Sequence, residues 1–566
     1  MRRFFSILIL SFIIFPVSRV YAQTGKNEFT SRSVLADGQW FKIAITADGI
    51  YRIDYSKLKQ LGLSNPSNPR IFGNNFGQLS YYNDDPKPDD LKEISIMLVK
   101  GSDGVFNEGD YLLFYGMCTH RWKYNASTDE YNFVRHNYSD TSYYFLTTSS
   151  APGKTIVNAL SISNSASYSS TEYDALFQHE VETENIIKSG REWYEPISSL
   201  NGLSINPGFT DINTSEKMEY RLRVLARASI TTRFRLSEGT NTLDEIPVPE
   251  VYLLSSTGTY ANITELKGSS SPSSTSPTYE MKFLNNGEQS AKGWVDYVIF
   301  RGRALTSFTG KTLKFSDAKS VQPGRVTEFT IKSTSSDVNV WDVTDPFNIK
   351  NDSCTKTGDG FKFRAHTDSL RTFVAFTNDK TMTPVINSRP VPNQNLHGSE
   401  TADMVIVTHP LFYSYAKKLA AIHLINSGLV SLIVTPEEVY NEYSGGVPDI
   451  AAIRNFLRMK YINQTGSSHP LKYLLLFGDG SIQNKTMPPH NPNFIPTYQS
   501  QNSNIIISSF TSDDFYGLLG DGEGEADGTE DIGIGRFPVS DTTQAGIMVS
   551  KVARYMNASS TGAWRN

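Results

Sequence analysis

The stretch that decides the fold is MVIVTHP at 404–410, echoed by LVSLIVT at 429–435, YLLLFGDG at 473–480 and DIGIGRFPV at 531–539. Short, continuous apolar runs that end in turn residues are how strands buried on both faces read. Between the first two runs, residues 411–425 place Phe412, Ala416, Leu419, Ala420 and His423 at helical spacing. Pro448 suits the first turn of a helix with Ile450, Ile453, Leu457 and Tyr461 on one face. Asp541 and Gln544 give a capping-box-like start to a helix reaching Met556. Alternating strands and helices favour parallel pairing, and ligand sites in such sheets collect at the carboxyl ends of strands. Here those ends hold Thr408, His409, Thr435, Gly478 to Gly480, and Arg536.

Upstream the periodicity changes. Residues 23–151 contain WFKIAI, GIYRIDY, RIFG, EISIMLV, DYLLFYG and SYYFLTT, which read as an N-terminal β-rich domain. Residues 152–392 continue with MEYRLRVLARA, YEMKFLN, VDYVIFRGRAL, VTEFTIKS and RTFVAFTN, a sandwich-like region of regularly spaced strands. The Ser/Pro-rich segment 267–278 reads as an exposed loop, and the Pro/Asn/Gln-rich segment 391–400 as a linker. The expected fold is therefore multidomain: two β-rich regions and an α/β domain over 393–566 with a mainly parallel sheet.

Arg2 and Arg3, the apolar run 4–17, and small residues at Val20 and Ala22 read as a signal peptide over 1–22, with Gln23 as the mature start. The expected location is the periplasm or the outer-membrane cell surface. With 58 acids against 53 bases the net charge is −5, which excludes the basic footprint of a nucleic-acid binder. Only Cys118 and Cys354 are present, and they fall in separate regions, so two free thiols are expected rather than a bridge.

YLLLFGDG at 473–480, TSDDFYGLL at 511–519 and DIGIGRFPV at 531–539 resemble, in that order, the segments of the gingipain family of cysteine peptidases. Upstream, DGIYRIDY, NEGDYLLFYG, GWVDYVIFRGRAL and VNVWDVTDP resemble the long N-terminal region of that family's type IX secretion sortase branch. The resemblance implies a caspase-like fold and a Cys–His dyad that removes C-terminal sorting domains from secreted cargo. It also implies transfer of the cargo to an amine on an anionic lipopolysaccharide, with an outer-membrane β-barrel protein as tether. In the family the His follows a later strand in a Gly-His-Gly setting and the Cys follows the next strand, and neither segment occurs here. No residue of this chain therefore inherits a catalytic, cofactor-binding or metal role by motif, and the 566-residue chain is expected to be inactive alone. The alternatives are a non-catalytic surface or periplasmic binding or scaffold protein, and a secreted gingipain-like protease.

Other candidates read as structural. Cys354 with His366 sits in a turn between strands, and Cys118 beside His120 follows a strand as a packed residue. His409 is a capping or loop residue before Pro410. Asp479, Asp513 and Asp514 shape turns through their side chains. The acidic loop from Asp521 to Asp531 offers alternate carboxylates at Asp521, Glu523, Glu525 and Asp527, the one place where calcium is conceivable. The EF-hand pattern is not met, and a solvated hairpin tip is the favoured reading. HEVETE at 179–184 lacks a second His on the same face and reads as solvated.

Overall fold

The computed structural model describes residues 29–74 and 77–557; the signal segment lies outside them. The N-terminal β-rich region stacks two sheets. One has five strands and is built on Trp40–Ile45, which pairs antiparallel with Ser142–Thr148 on one side. Its other neighbour is Val385–Val391, more than 300 residues downstream in sequence. The second sheet joins Gly49–Asp54, Tyr111–Gly116 and Met97–Val99. Alternation drives the stacking: Phe41, Ile43, Tyr144 and Leu146 from one sheet meet Ile53, Leu112 and Phe114 from the other.

The opposite face of the small sheet is apolar too. Ile50, Leu113 and Tyr115 pack on Trp341, Val343, Val374 and Phe376 from the next region. The two β-rich regions read from the sequence thus share a core across residue 151. A further sandwich buries Met218, Leu222, Val224, Phe234, Phe283, Val298 and Phe300 between two sheets. The 14-residue strand Lys292–Leu305 runs through it and pairs with Glu172–His179 and Met218–Arg227.

The α/β unit has four parallel strands: β1 (Met404–Thr408), β2 (Ser431–Val434), β3 (Tyr473–Phe477) and β4 (Gly533–Phe537). The sheet order is β2-β1-β3-β4, and every pair is parallel. All five β1 residues are buried, so both faces of the sheet are covered. Four helices do this: α1 (Tyr413–Ser427), α2 (Pro436–Tyr443), α3 (Ile450–Gln464) and α4 (Thr542–Asn557). α1 packs on α4 and α2 on α3.

Several sequence expectations change here. α3 begins after Pro448, because Asp449 caps it through the Ala451 N–H at 2.8 Å. Nor is α3 one-faced: Arg454, Arg458 and Lys460 are buried with its apolar residues, because the N-terminal region and the 519–521 segment cover its outer side. Arg454 donates to the Tyr81 carbonyl and Arg458 Nε to that of Leu519. Helix α2 was not expected at all. Thr435 caps it with a full capping box to Glu438, and Pro436 occupies its first turn.

Segment 391–400 is not a free linker. Gln394 donates to Glu438 O and to Glu442, and Leu396 and His397 are buried. His397 stands between two carboxylates, Nδ1 2.5 Å from Glu442 Oε2 and Nε2 2.8 Å from Asp89 Oδ1, and stacks on Tyr443 at 4.7 Å. One imidazole thereby ties the N-terminal region to α2. The start of α4 matches expectation, with Gln544 N donating to Asp541 Oδ1 at 2.8 Å. The Gln544 side chain reaches Ser540 N, one residue further back than the Asp541 N–H of a standard box.

Candidate functional site at the strand ends

At the carboxyl ends of β3 and β4 one side chain gathers the loops. Arg536, within β4, donates from Nη1 to the carbonyls of Gly478 and Ile495, each at 2.9 Å. Its Nε and Nη2 reach Asp513 Oδ2 and Oδ1, both at 2.7 Å, in the bidentate geometry that suits a guanidinium to a carboxylate. Asp513 is held from its other side by Thr497 Oγ1 at 2.9 Å. The SDDFY turn, the 495–497 segment and the end of β3 are therefore fixed to one another.

The Gly478–Asp479 pair is dictated by close approach. A Cβ on Gly478 would lie 2.8 Å from Phe494 Cβ, so only glycine lets that loop return across β3. The Asp479 carbonyl accepts from Phe494 N at 2.9 Å and Ile495 N at 3.1 Å, and its carboxylate accepts from Gly480 N at 2.9 Å. His409 caps the short turn after β1, its Nδ1 accepting from Leu411 N at 3.2 Å with the ring against Phe494 at 5.0 Å. Burial lowers its pKa and keeps the imidazole neutral. Asp513 and Arg536, with the Gly478–Asp479 turn, thus form a hydrogen-bonded floor, beside which Thr408 Oγ1 reaches the Phe477 carbonyl at 3.4 Å. Thr435 turns away from it to cap α2.

This floor brings no thiol with it. Cys118 and Cys354 are both free and lie in the β-rich regions. Burial, with Asp48 beside it, pushes the Cys118 thiol up to about 11. Burial, with Asp352 beside it, pushes Cys354 up to about 12. Thiols so shifted are poor nucleophiles at neutral pH. Cys118 Sγ points to the His120 carbonyl, whereas His120 Nδ1 accepts from the His136 backbone. His366 ends an exposed strand position paired with Val326.

Two acidic segments differ from the sequence reading. The 521–531 loop keeps the exposed end expected of a solvated tip at residues 526–531, but its first half is clasped to the N-terminal region. Asn83 N donates to Glu523 O at 2.8 Å, and Glu525 N to Tyr81 O at 3.0 Å. Asn83 Nδ2 reaches the carbonyls of Leu518 and Gly520 at 3.0 and 2.7 Å. Three of its carboxylates are engaged, Glu523 by Gly520 N and Thr529 N, Asp521 by Arg458 and Glu525 by Arg191, while Asp527 is exposed. Among the described residues no group of three His, Cys, Asp or Glu side chains converges as a metal site. HEVETE is a half-buried junction in which Glu182 pairs with Arg135 at 3.2 Å and Lys485 at 2.9 Å. His179 Nε2 lies 2.5 Å from Glu195, and burial pushes the Glu180 carboxyl up to about 7.

Residues 397–566 match peptidase family C25. No curated protein matches the chain. Among solved structures, dimeric latent PorU from Porphyromonas gingivalis superposes with a TM-score of 0.82 at 25% identity, over 95% of this chain and 51% of that one. The chain therefore spans about half the length of that relative. The Cry8Ea1 delta-endotoxin of Bacillus thuringiensis covers 46% of this chain and 52% of its own at 11% identity, with a TM-score of only 0.15. β-Glucuronidase of Ruminococcus gnavus reaches 0.13 at 8% identity, over 59% of this chain and 71% of its own. Both values are too low to indicate a shared fold. Along nearly its whole length the chain is PorU-like, and its α/β unit matches peptidase family C25.

Proposed function

We propose that this chain provides the N-terminal scaffold and the first part of the catalytic domain of a gingipain-type cysteine peptidase of caspase-like fold, acting as the sortase of type IX secretion. Its substrates in this reading are exported cargo proteins with C-terminal sorting domains, and its acceptor is an amine on an anionic lipopolysaccharide. It works at the periplasmic face or the cell surface, tethered by an outer-membrane β-barrel protein. The observation that carries the reading is the PorU-like arrangement over 95% of the chain, with the C25 match confined to the α/β unit.

The residues described have a supporting part in that chemistry. Acyl transfer by a cysteine needs a thiolate, a neighbouring imidazole and fixed oxyanion donors. The Arg536–Asp513 floor holds the strand-end loops on which such groups would be mounted. Neither Cys118 nor Cys354 is the nucleophile in this reading, since burial keeps both protonated. The chain by itself is then inactive.

Deleting the locus and following a cargo protein by mass spectrometry tests the proposal. Cargo that retains its sorting domain in the deletion strain supports the sortase. Cargo processed normally overturns it. In parallel, the purified 566-residue chain should leave a peptide spanning the cargo junction intact, and thiol-sensitive cleavage would show that one of its own cysteines acts.

A further inference from the structure

Away from the strand-end floor, a cavity of about 380 Å³ lies where the sandwich, the N-terminal region and the α/β unit meet. Its floor is the outer face of a sandwich sheet. Gln178, Ile299 and Arg221 stand side by side there, with Arg223 beside Tyr297 in the next row, while Leu222, Val298 and Phe300 alternate into the core. Asn132 and Phe133 contribute one wall and Gln501 of the α/β unit another. A second cavity, of about 200 Å³, shares Asn137, Glu182, Arg191 and Trp193 with the first and reaches Gln483 and Lys485. The two make one elongated site.

Its charges balance. Four arginines and four carboxyl side chains line the larger cavity, so its field selects neither a cation nor an anion. Most are spent on one another: Arg135 pairs with Glu182 at 3.2 Å, and Arg223 with Glu192 at 2.9 Å and with Asp296. Arg191 is taken by Glu525 at 3.2 Å. Arg221 and Glu180 are left over. Among the described residues Arg221 has no carboxylate partner, only the Tyr131 carbonyl at 3.4 Å, and Glu180 has no ion pair, only the Gln178 amide. Burial pushes the Glu180 carboxyl up to about 7, so at neutral pH it both donates and accepts. Trp193 and Tyr297 are half-buried, and among the described residues neither polar tip makes a hydrogen bond.

A hydroxyl donates once and accepts twice, which matches a donor-only guanidinium beside a carboxyl that does both. Amphipathic rings with uncommitted N–H and O–H groups suit a ligand that is apolar on its ring faces and polar at its rim. A peptide would call for a free strand edge or apolar pockets, but the floor is a sheet face on which Ile299 is the one aliphatic side chain. We propose that this groove binds a neutral oligosaccharide, with Trp193 and Tyr297 as stacking platforms and Arg221 and Glu180 holding its hydroxyls. The site is independent of the peptidase reading.

The test is calorimetric titration of the full chain with maltohexaose, cellohexaose and mannohexaose, with a Gly-Ser repeat peptide of similar length as the control. Saturable binding of at least one hexaose, insensitive to added salt because the ligand is uncharged, is the expected result. Trp193→Ala and Arg221→Gln should each weaken it at least about fivefold, the loss of one good contact. Arg221 has no carboxylate to leave unpaired, so Arg221→Gln should melt like the parent, and a cooperative melt certifies the fold of either variant. Lys282→Gln, on the other sheet of the sandwich, should leave binding in place. No saturable binding of any of the three sugars, equal affinity for the peptide, or parent affinity in both groove variants each overturns the proposal.

Discussion

Arg536 grips Asp513 with two parallel hydrogen bonds of 2.7 Å while the same guanidinium holds the carbonyls of Gly478 and Ile495. The Arg536 side chain is 13% exposed and that of Asp513 22%. A lysine keeps the charge but loses the fork. Arg536→Lys should cost about 2–3 kcal/mol, somewhat below the loss typical of a fully buried pair because Asp513 keeps some water. Urea denaturation read by tryptophan fluorescence measures it. A cost below about 0.5 kcal/mol, the level of an ordinary surface change, would mean that the loops are held by other contacts.

His397 gives the junction a pH signature. Burial opposes its protonation, but the hydrogen bonds to Asp89 and Glu442 outweigh it and raise its pKa from 6.5 to about 9. Below pH 6.5 the folded and unfolded states both carry the proton, so the ion pairs contribute in full. Above that the unfolded ring loses its proton first, and the contribution fades as pH approaches 9. It amounts to about 3 kcal/mol. The unfolding free energy should fall between pH 6.5 and 9, and His397→Gln should flatten that slope while lowering stability at pH 6. An unchanged slope in the variant would assign the pH dependence elsewhere.

The two thiols should be slow to react. With the Cys118 thiol near 11, its thiolate at pH 8 is roughly two hundredfold scarcer than that of free cysteine. Iodoacetamide labelling of the folded protein, quantified by mass spectrometry, should lag free cysteine by at least that factor at both positions. Rapid labelling of Cys354 would show that its half-buried site opens.

Asn83 is the peg of the clasp between the N-terminal region and the 518–525 segment. Asn83→Ala leaves the Leu518 and Gly520 carbonyls without their donor, at a cost of about 1–3 kcal/mol. The change is local, so hydrogen exchange in residues 518–531 should rise before the parallel sheet is affected. Equal protection in the variant and the parent would locate the clasp in the backbone contacts of Tyr81 and Glu523 instead.

The parallel sheet is legible in the sequence because each strand is a run of Val, Ile and Leu too short for a helix and closed by a turn. The resemblance to C25 peptidases is legible for a related reason: the GD, SDDF and IGR segments are the places where strand ends need glycine, an Asx turn or a guanidinium. Helix α2 shows what is harder. Its capping box, Thr-Pro-Glu-Glu at 435–438, is present in the sequence, but the helix is only eight residues long and half of them are Glu or Asn. Glu442 and Asn441 are buried only because His397 and Gln394 arrive from another segment. The same holds for the acidic loop and for HEVETE, whose charges read as solvated until distant partners such as Asn83, Arg135 and Lys485 fold onto them. Pairing between remote segments leaves no local periodicity to read.

The place of Val385–Val391 beside Trp40–Ile45 also sets a timetable. Strand Ser142–Thr148 is available early, but the last partner of Trp40–Ile45 emerges some 240 residues later. At about 5–20 residues per second that is a wait of roughly 12–50 s during synthesis. Throughout it, one edge of the first-made sheet stands open to any strand that passes.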